Sequence, residues 1–199
     1  MLMNNYCHLS PEEGALIMIE LHTESEFRET TSYIVNCLER QLNELLPIAI
    51  IEHIGSTSVH GAVTKGDVDI QVAVEAEDFD SSKQILDRHF THNPEMQPTS
   101  IFVSYSGKLE STEFGIQLIC TGESEFKFVE MQGKLKNSPD LLKKYNSIKK
   151  ANSTVTLTSI VKLNLILLSM FLKSHNKALS FGRKLRRNLC GIMRQEIYE

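Results

Sequence analysis

The chain has 199 residues, 41% hydrophobic and 23% charged, which is enough for one domain with a full core and ordinary for a globular protein in water. A formal net charge of −4 argues against a general nucleic-acid binder, and four scattered cysteines (Cys7, Cys37, Cys120, Cys190) with no C-x-x-C pair exclude a zinc knuckle and a disulfide scaffold. The opening residues lack a basic segment leading into a long apolar run, so no secretory signal is evident, and reduced thiols in a cytoplasmic protein are expected.

Residues 1–13 read as a loose lead-in and residues 15–21 as a short apolar strand. Thr23 with Glu26 three residues later makes a capping box. It opens a helix to about Leu46, in which Phe27, Ile34, Cys37, Leu38, Leu42 and Leu45 recur at helical spacing, a stripe for packing on a sheet.

The apolar run Ile48–Ile54 ends in Gly55-Ser56, where glycine permits a tight turn and close approach of a ligand to the backbone. Ser56, Thr57 and Ser58 can cap a short helix expected near Ser58–Val63, whose N–H groups would receive an anion. His53 reads as a packed or turn-bonding histidine. Lys65-Gly66 then returns the chain into a strand, Val68–Val74. Side chains alternate across a strand, so Asp67, Asp69, Gln71 and Ala73 share one face, while Val68, Ile70, Val72 and Val74 share the other. The β-branched face belongs in a core, and the two carboxylates therefore project together from the strand's start. Carboxylates that close repel one another unless a cation compensates them. Mg2+ suits such a pair, because it takes one or two carboxylates plus substrate phosphates. Taken singly, Gly-Ser is an ordinary turn and Asp-x-Asp an ordinary solvated strand end. Their order and spacing make them a candidate nucleotide-phosphate and metal site.

Downstream, Glu77-Asp78-Phe79-Asp80 puts acids in the first turn of a helix to about Phe90, where they complement the helix dipole. Residues 91–99, with Pro94 and Pro98, read as a loop. Ile101–Tyr105 and Phe114–Cys120 read as strands joined by the polar connection 106–112. Glu123–Lys136 and Pro139–Lys150 read as paired helices; Ser138-Pro139 caps the second, whose lysines (Lys143, Lys144, Lys149, Lys150) read as a solvated face, with contact to nucleotide phosphates as the alternative if the helix faces the cleft.

Gly55-Ser56, a spacer and Asp67-Val68-Asp69 between apolar residues resemble the signature of the DNA polymerase beta superfamily of nucleotidyltransferases. The longer string HIGSTSVHGAVTKGDVDIQV, residues 53–72, resembles the GrpB family, whose members carry an H-[IV]-G-S-T-[AS]-V-P-G-like string in such a fold. His60 stands where that family usually has proline, and Thr64-Lys65-Gly66-Asp67 supplies an Asp-x-Asp that many members have reduced to one aspartate. The resemblance covers roughly residues 15–150.

It implies an α+β (α/β) fold, a nucleotidyltransferase-like mixed β-sheet packed by helices with a C-terminal helical segment. It further implies that Gly55, Ser56, Thr57 and Lys65 meet the phosphates of a nucleoside triphosphate, and that Asp67 and Asp69 are the catalytic pair holding Mg2+. The superfamily's third carboxylate comes from a later strand; Gln117 stands there, which leaves Glu113 as the nearby substitute ligand. The implied function is Mg-dependent transfer of a nucleoside monophosphate from the triphosphate to an unknown acceptor. The alternative is a catalytically silent nucleotide- or metabolite-binding or interaction protein that keeps the fold. Neither a membrane nor a nucleic acid is expected as partner, and the oligomeric state is not legible.

Two regions are expected, 1–152 as the nucleotidyltransferase-like domain and 153–199 as a divergent helical, basic extension. Ile160, Leu163, Leu167 and Met170 make a helical stripe there, too short and too polar to span a bilayer. Residues 161–199 carry eight Lys/Arg against Glu196 and Glu199, a net +6 that leaves −10 for the rest. A helix completing the core, a partner-binding extension and an altered reading frame are competing accounts of this tail.

Overall fold

The computed structural model describes residues 17–18, 20–122, 128–151 and 154–155. The expectations for 1–13, 123–127 and the tail from residue 156, with Cys7 and Cys190, lie outside the described residues. The chain divides into two compact units, Glu20–Lys150 and a second one formed by Met1–Ile19 with Ala151–Glu199. In the second unit β1 (Ile17–Met18) pairs antiparallel with β9 (Thr154–Val155).

The larger unit opens with β2 (His22–Thr23), a 3-10 turn (Glu24–Phe27) and α1 (Arg28–Leu45). The capping box is present: the Thr23 backbone N–H and hydroxyl both donate to Glu26 Oε1, at 2.8 and 2.7 Å. Then come β3 (Ile50–Ile54), a 3-10 turn (Ser56–Ser58), β4 (Val63–Thr64) and β5 (Val68–Val74), followed by a turn, Ala76–Asp78, into α2 (Phe79–Leu86). β6 (Thr91–His92), β7 (Phe102–Leu109), β8 (Thr112–Cys120), α3 (Phe128–Asn137) and α4 (Pro139–Ala151) complete it.

Five strands form one mixed sheet in the order β3-β5-β8-β7-β6. β5 is antiparallel to β3 and parallel to β8; β7 is antiparallel to β8 and to β6. The period-2 reading of β5 explains its core face. Val68, Ile70 and Val72 are fully buried and Val74 nearly so, continuous with Ile116 and Leu118 of β8 and with Val103 and Tyr105 of β7. Ile34, Val35, Leu38 and Leu42 of α1 and Phe79 and Leu86 of α2 belong to the same cluster. The opposite face is apolar at one end, where Phe128 of α3 packs on Ala73, Phe102 and Ile119. At its other end lie Asp69 and Gln117, so the site occupies the polar half of an otherwise covered face.

The fold class read from the sequence, a mixed sheet packed by helices, is the one observed. Several local expectations are corrected. The expected helix near Ser58–Val63 is only the three-residue turn Ser56–Ser58, because Gly61 takes φ +79° and Val63–Thr64 pairs with His22–Thr23 instead of coiling. Residues 91–99 are not all loop, since Thr91 and His92 extend the sheet against Ser106 and Tyr105. The supposed connection 106–112 is strand on both sides of a two-residue turn, Glu110-Ser111, with Glu110 at φ +55°. β3 begins at Ile50 rather than Ile48, which is 63% exposed. Both described cysteines are reduced thiols; Cys120 is buried, whereas Cys37 is only half-buried.

Ile70 lies between β3 and β8 with no exposed surface. Truncating it leaves a cavity that rigid strands on both sides cannot close. Ile70→Ala is expected to lower the unfolding free energy by about 2–5 kcal/mol, measured by urea denaturation.

Candidate nucleotide and metal site

The site forms where the turn after β3 meets the start of β5. Register places Ile54 opposite Asp69, so Gly55 follows directly above the carboxylate. A Cβ on Gly55 would overlap Asp69 Oδ2, and the residue holds φ +77°, so only glycine fits. Across the sheet Asp69 pairs with Gly115 of β8, where a Cβ would stand 3.0 Å from Asp69 Oδ1 and 3.1 Å from Gln117 Nε2. Two glycines thus enclose one carboxylate. Its one hydrogen-bond partner among the described residues is weak: Gln117 Nε2 donates to Oδ1 at 3.4 Å. Burial, then the neighbouring Asp67, push the Asp69 carboxyl up to about 7, with Gln117 and the lysines opposing. Gln117 Oε1 is itself buried without a hydrogen-bond partner among the described residues.

Asp67 lies two residues earlier and is more open. Lys65 Nζ stands 3.3 Å from Asp67 Oδ2 and 3.7 Å from Glu113 Oε2. Partial burial works against the Lys65 charge, but Asp67, Glu113 and Asp69 together hold its pKa above the usual lysine value. Glu113 is a mostly exposed side chain met by that ammonium, not a third carboxylate converging on Asp67 and Asp69. Among the described residues no three His, Cys, Asp or Glu groups converge as a metal cluster.

The turn itself is anchored from several sides. Thr57 Oγ1 donates to the Asp67 carbonyl at 3.0 Å, and His53 Nε2 lies 3.0 Å from the same hydroxyl. Because that hydroxyl's one proton goes to Asp67, His53 Nε2 carries the hydrogen and donates. Burial, with Lys136 nearby, lowers the His53 pKa to about 4, so the imidazole is neutral at physiological pH. It is a turn-bonding histidine, as read. Ser58 Oγ donates to Gly55 O at 2.6 Å, and Gln132 Nε2 of α3 reaches both Ser58 Oγ (2.6 Å) and His53 O (2.9 Å). Asn146 of α4 accepts from Val63 N and donates to Gly61 O, both at 2.9 Å.

Two residues of α4 complete the site. Lys149 Nζ donates to Ser56 Oγ at 3.2 Å and lies 5.3 Å from the centroid of the Tyr145 ring. Burial lowers the Lys149 pKa against the pull of Asp67 and Asp69, and pushes the Tyr145 hydroxyl up to about 12. The solvated-face reading of the α4 lysines is therefore wrong for Lys149. Its signal was present, since it stands four residues after the helix's one buried aromatic and so on the same face. Ser56, Thr57, Asp67 and Asp69 are thus brought together with Lys65 and Lys149; Glu113 stands at the rim.

A family model described as GrpB protein matches residues 20–160. The chain belongs to the GrpB family. Its similarity to the UPF0157 protein of Vibrio cholerae is 29% identity over 133 residues, 66% of this chain and 70% of that one. The crystal structure of conserved protein GrpB from Enterococcus faecalis aligns with a TM-score of 0.52 at 17% identity, over 76% of this chain and 99% of that one, a likeness of fold. The Cid1 poly(U) polymerase, crystallised with MgGTP, aligns at a TM-score of 0.46 and 13% identity over 64% of this chain and 42% of that one.

The raised Asp69 pKa means that the folded protein holds this proton more tightly than the unfolded chain. Stability is fully present below the ordinary aspartate pKa and falls as pH rises toward 7. Asp69→Asn removes the penalty, so its stability relative to this GrpB chain should increase between about pH 4.5 and pH 8, reaching on the order of 2 kcal/mol. Denaturant unfolding of both proteins at several pH values measures the crossing.

Proposed function

We propose that this GrpB protein binds a nucleoside triphosphate with Mg2+ and transfers its nucleoside monophosphate to a hydroxyl or phosphate acceptor. The observation that carries the reading is the Asp67–Asp69 carboxylate pair set against the Gly55-Ser56 turn, with Asp69 enclosed by Gly55 and Gly115. Two carboxylates without a third acid fit one Mg2+ shared with substrate phosphates better than a two-metal site. The unpartnered Gln117 Oε1 and the raised Asp69 pKa are what a site short of one cation would display.

Asp67 and Asp69 would hold the ion, which when bound supplies charge neutralisation at the phosphates undergoing transfer. The chain's own contribution is electrostatic and positional. Ser56 Oγ and the backbone of Gly55-Ser56-Thr57 would receive the β- and γ-phosphates. Lys149, already on Ser56, places a cation beside those oxygens. Thr57 and His53 fix the distance between the turn and the carboxylates. The scattered thiols and the cellular location of triphosphate pools favour the cytoplasm. Gln117 in place of an acid favours a second reading, a nucleotide-binding protein that no longer transfers.

Calorimetric titration of each nucleoside triphosphate, with and without Mg2+, tests both. Metal-dependent binding should appear in the wild type and weaken at least about tenfold in Asp67→Asn/Asp69→Asn, the loss expected when charged ligands are removed. Pyrophosphate release in the presence of acceptor candidates separates transfer from binding alone. Binding indifferent to both Mg2+ and the double substitution would overturn the site assignment.

A further inference from the structure

The acids that the sequence marks as metal ligands, Asp67, Asp69 and Glu113, share one cation already: the ammonium of Lys65. Its Nζ lies 3.3 Å from Asp67 Oδ2 and 3.7 Å from Glu113 Oε2, and Asp69 also favours its charge. The lysine is held there by its backbone. Thr64 pairs with His22 in β4, Gly66 N donates to Thr64 Oγ1 at 3.0 Å, and Gly66 takes φ +92° beneath the ring of Phe27. A side chain two residues before Asp67, on a turn so pinned, has its stem directed along the start of β5. Only its flexible methylene chain is at liberty, and half of that side chain is exposed.

We propose that Lys65 is a tethered counter-ion for the carboxylate pair, which competes with a divalent cation when no nucleotide is bound and turns to the triphosphate when one is. The proposal rests on the metal and phosphate reading given above. Its logic is Coulombic. An ammonium at salt-bridge distance satisfies part of the charge that a divalent ion would neutralise, and a divalent ion entering beside it meets a like charge. A triphosphate removes that conflict, since its oxygens offer Lys65 a second anionic partner within reach of the same flexible stem. Metal and nucleotide then bind with positive coupling, and metal alone binds poorly. Lys149 is placed differently: its ammonium donates to Ser56 Oγ, and the two aspartates act on it through space and not at salt-bridge distance.

The test is Mn2+ binding, read by the loss of free-ion electron paramagnetic resonance signal, in the full chain without nucleotide. Lys65→Met keeps the length and apolar stem but removes the charge, and should tighten Mn2+ binding about tenfold or more, the change expected on removing a cation near the ion in a partly exposed site. Lys65→Arg retains the cation and should stay near wild type, which separates charge from altered packing. With ATP present the order should invert, Lys65→Met binding the Mn2+–ATP pair more weakly than wild type. Unchanged or weaker Mn2+ binding by Lys65→Met, while Asp67→Asn/Asp69→Asn abolishes it, overturns the counter-ion role and leaves the metal site standing. Mn2+ binding indifferent to the aspartate substitutions in every background overturns both.

Discussion

The placement of the Asp69 carboxylate between two glycines is the constraint on which the site depends. A carboxylate held this closely by backbone loses much of its water, and Asp67 two residues away adds repulsion. Neither cost helps the fold. A strand with a neutral residue there would pair with β3 and β8 equally well, since the register is already set by Val68, Ile70, Val72 and Val74 on the other face. A destabilising group kept on an over-determined scaffold is the usual mark of a functional position.

The surrounding contacts are spent on rigidity rather than on neutralising that charge. His53, Thr57, Ser58 and Gln132 hydrogen-bond to one another and to backbone carbonyls, each a neutral donor meeting an oxygen. They tie β3, the turn, β5 and α3 into one frame. The cations come from outside it, Lys65 from the loop before β5 and Lys149 from α4, both on long side chains with rotamer freedom to lose. Rigid acids and movable cations suit a ligand that is anionic and arrives with its own positive ion.

What could be read from the sequence was what is local in it. The alternation Asp67-Val68-Asp69-Ile70 fixes a face within two residues, and Gly55-Ser56 announces a turn wherever the fold puts it. The capping box at Thr23 and Glu26 spans a single turn and was legible for the same reason. The short helix after the turn was misread because Gly61 and the pairing of Val63–Thr64 with β2 compete with coiling, and pairing partners are remote in sequence. Gln132 and Lys149 reach residues more than seventy positions away, a relation that no window of sequence contains. Glu113, four residues before Gln117 on β8, shares its face, yet it stands at the exposed start of the strand and meets Lys65 at the rim.

Gln117 is where the chemistry of the site turns. An acid at that position, diagonal to Asp69 across Gly115, would have placed a third negative charge against two that are already poorly compensated. The amide avoids this charge while keeping an oxygen in the same place, and its nitrogen gives Asp69 the one donor it has among the described residues. In the proposed site the exchange would lower the demand for a second metal ion and leave the demand for a first. A site built this way would depend on its substrate to finish the coordination shell, the phosphate groups serving as ligands as well as reactants. That requirement also explains why two lysines stand at the turn while only two acids face it. In the proposed complex the ion, the phosphates and the ammonium groups would form a single balance of charge, no member of which would be well satisfied alone.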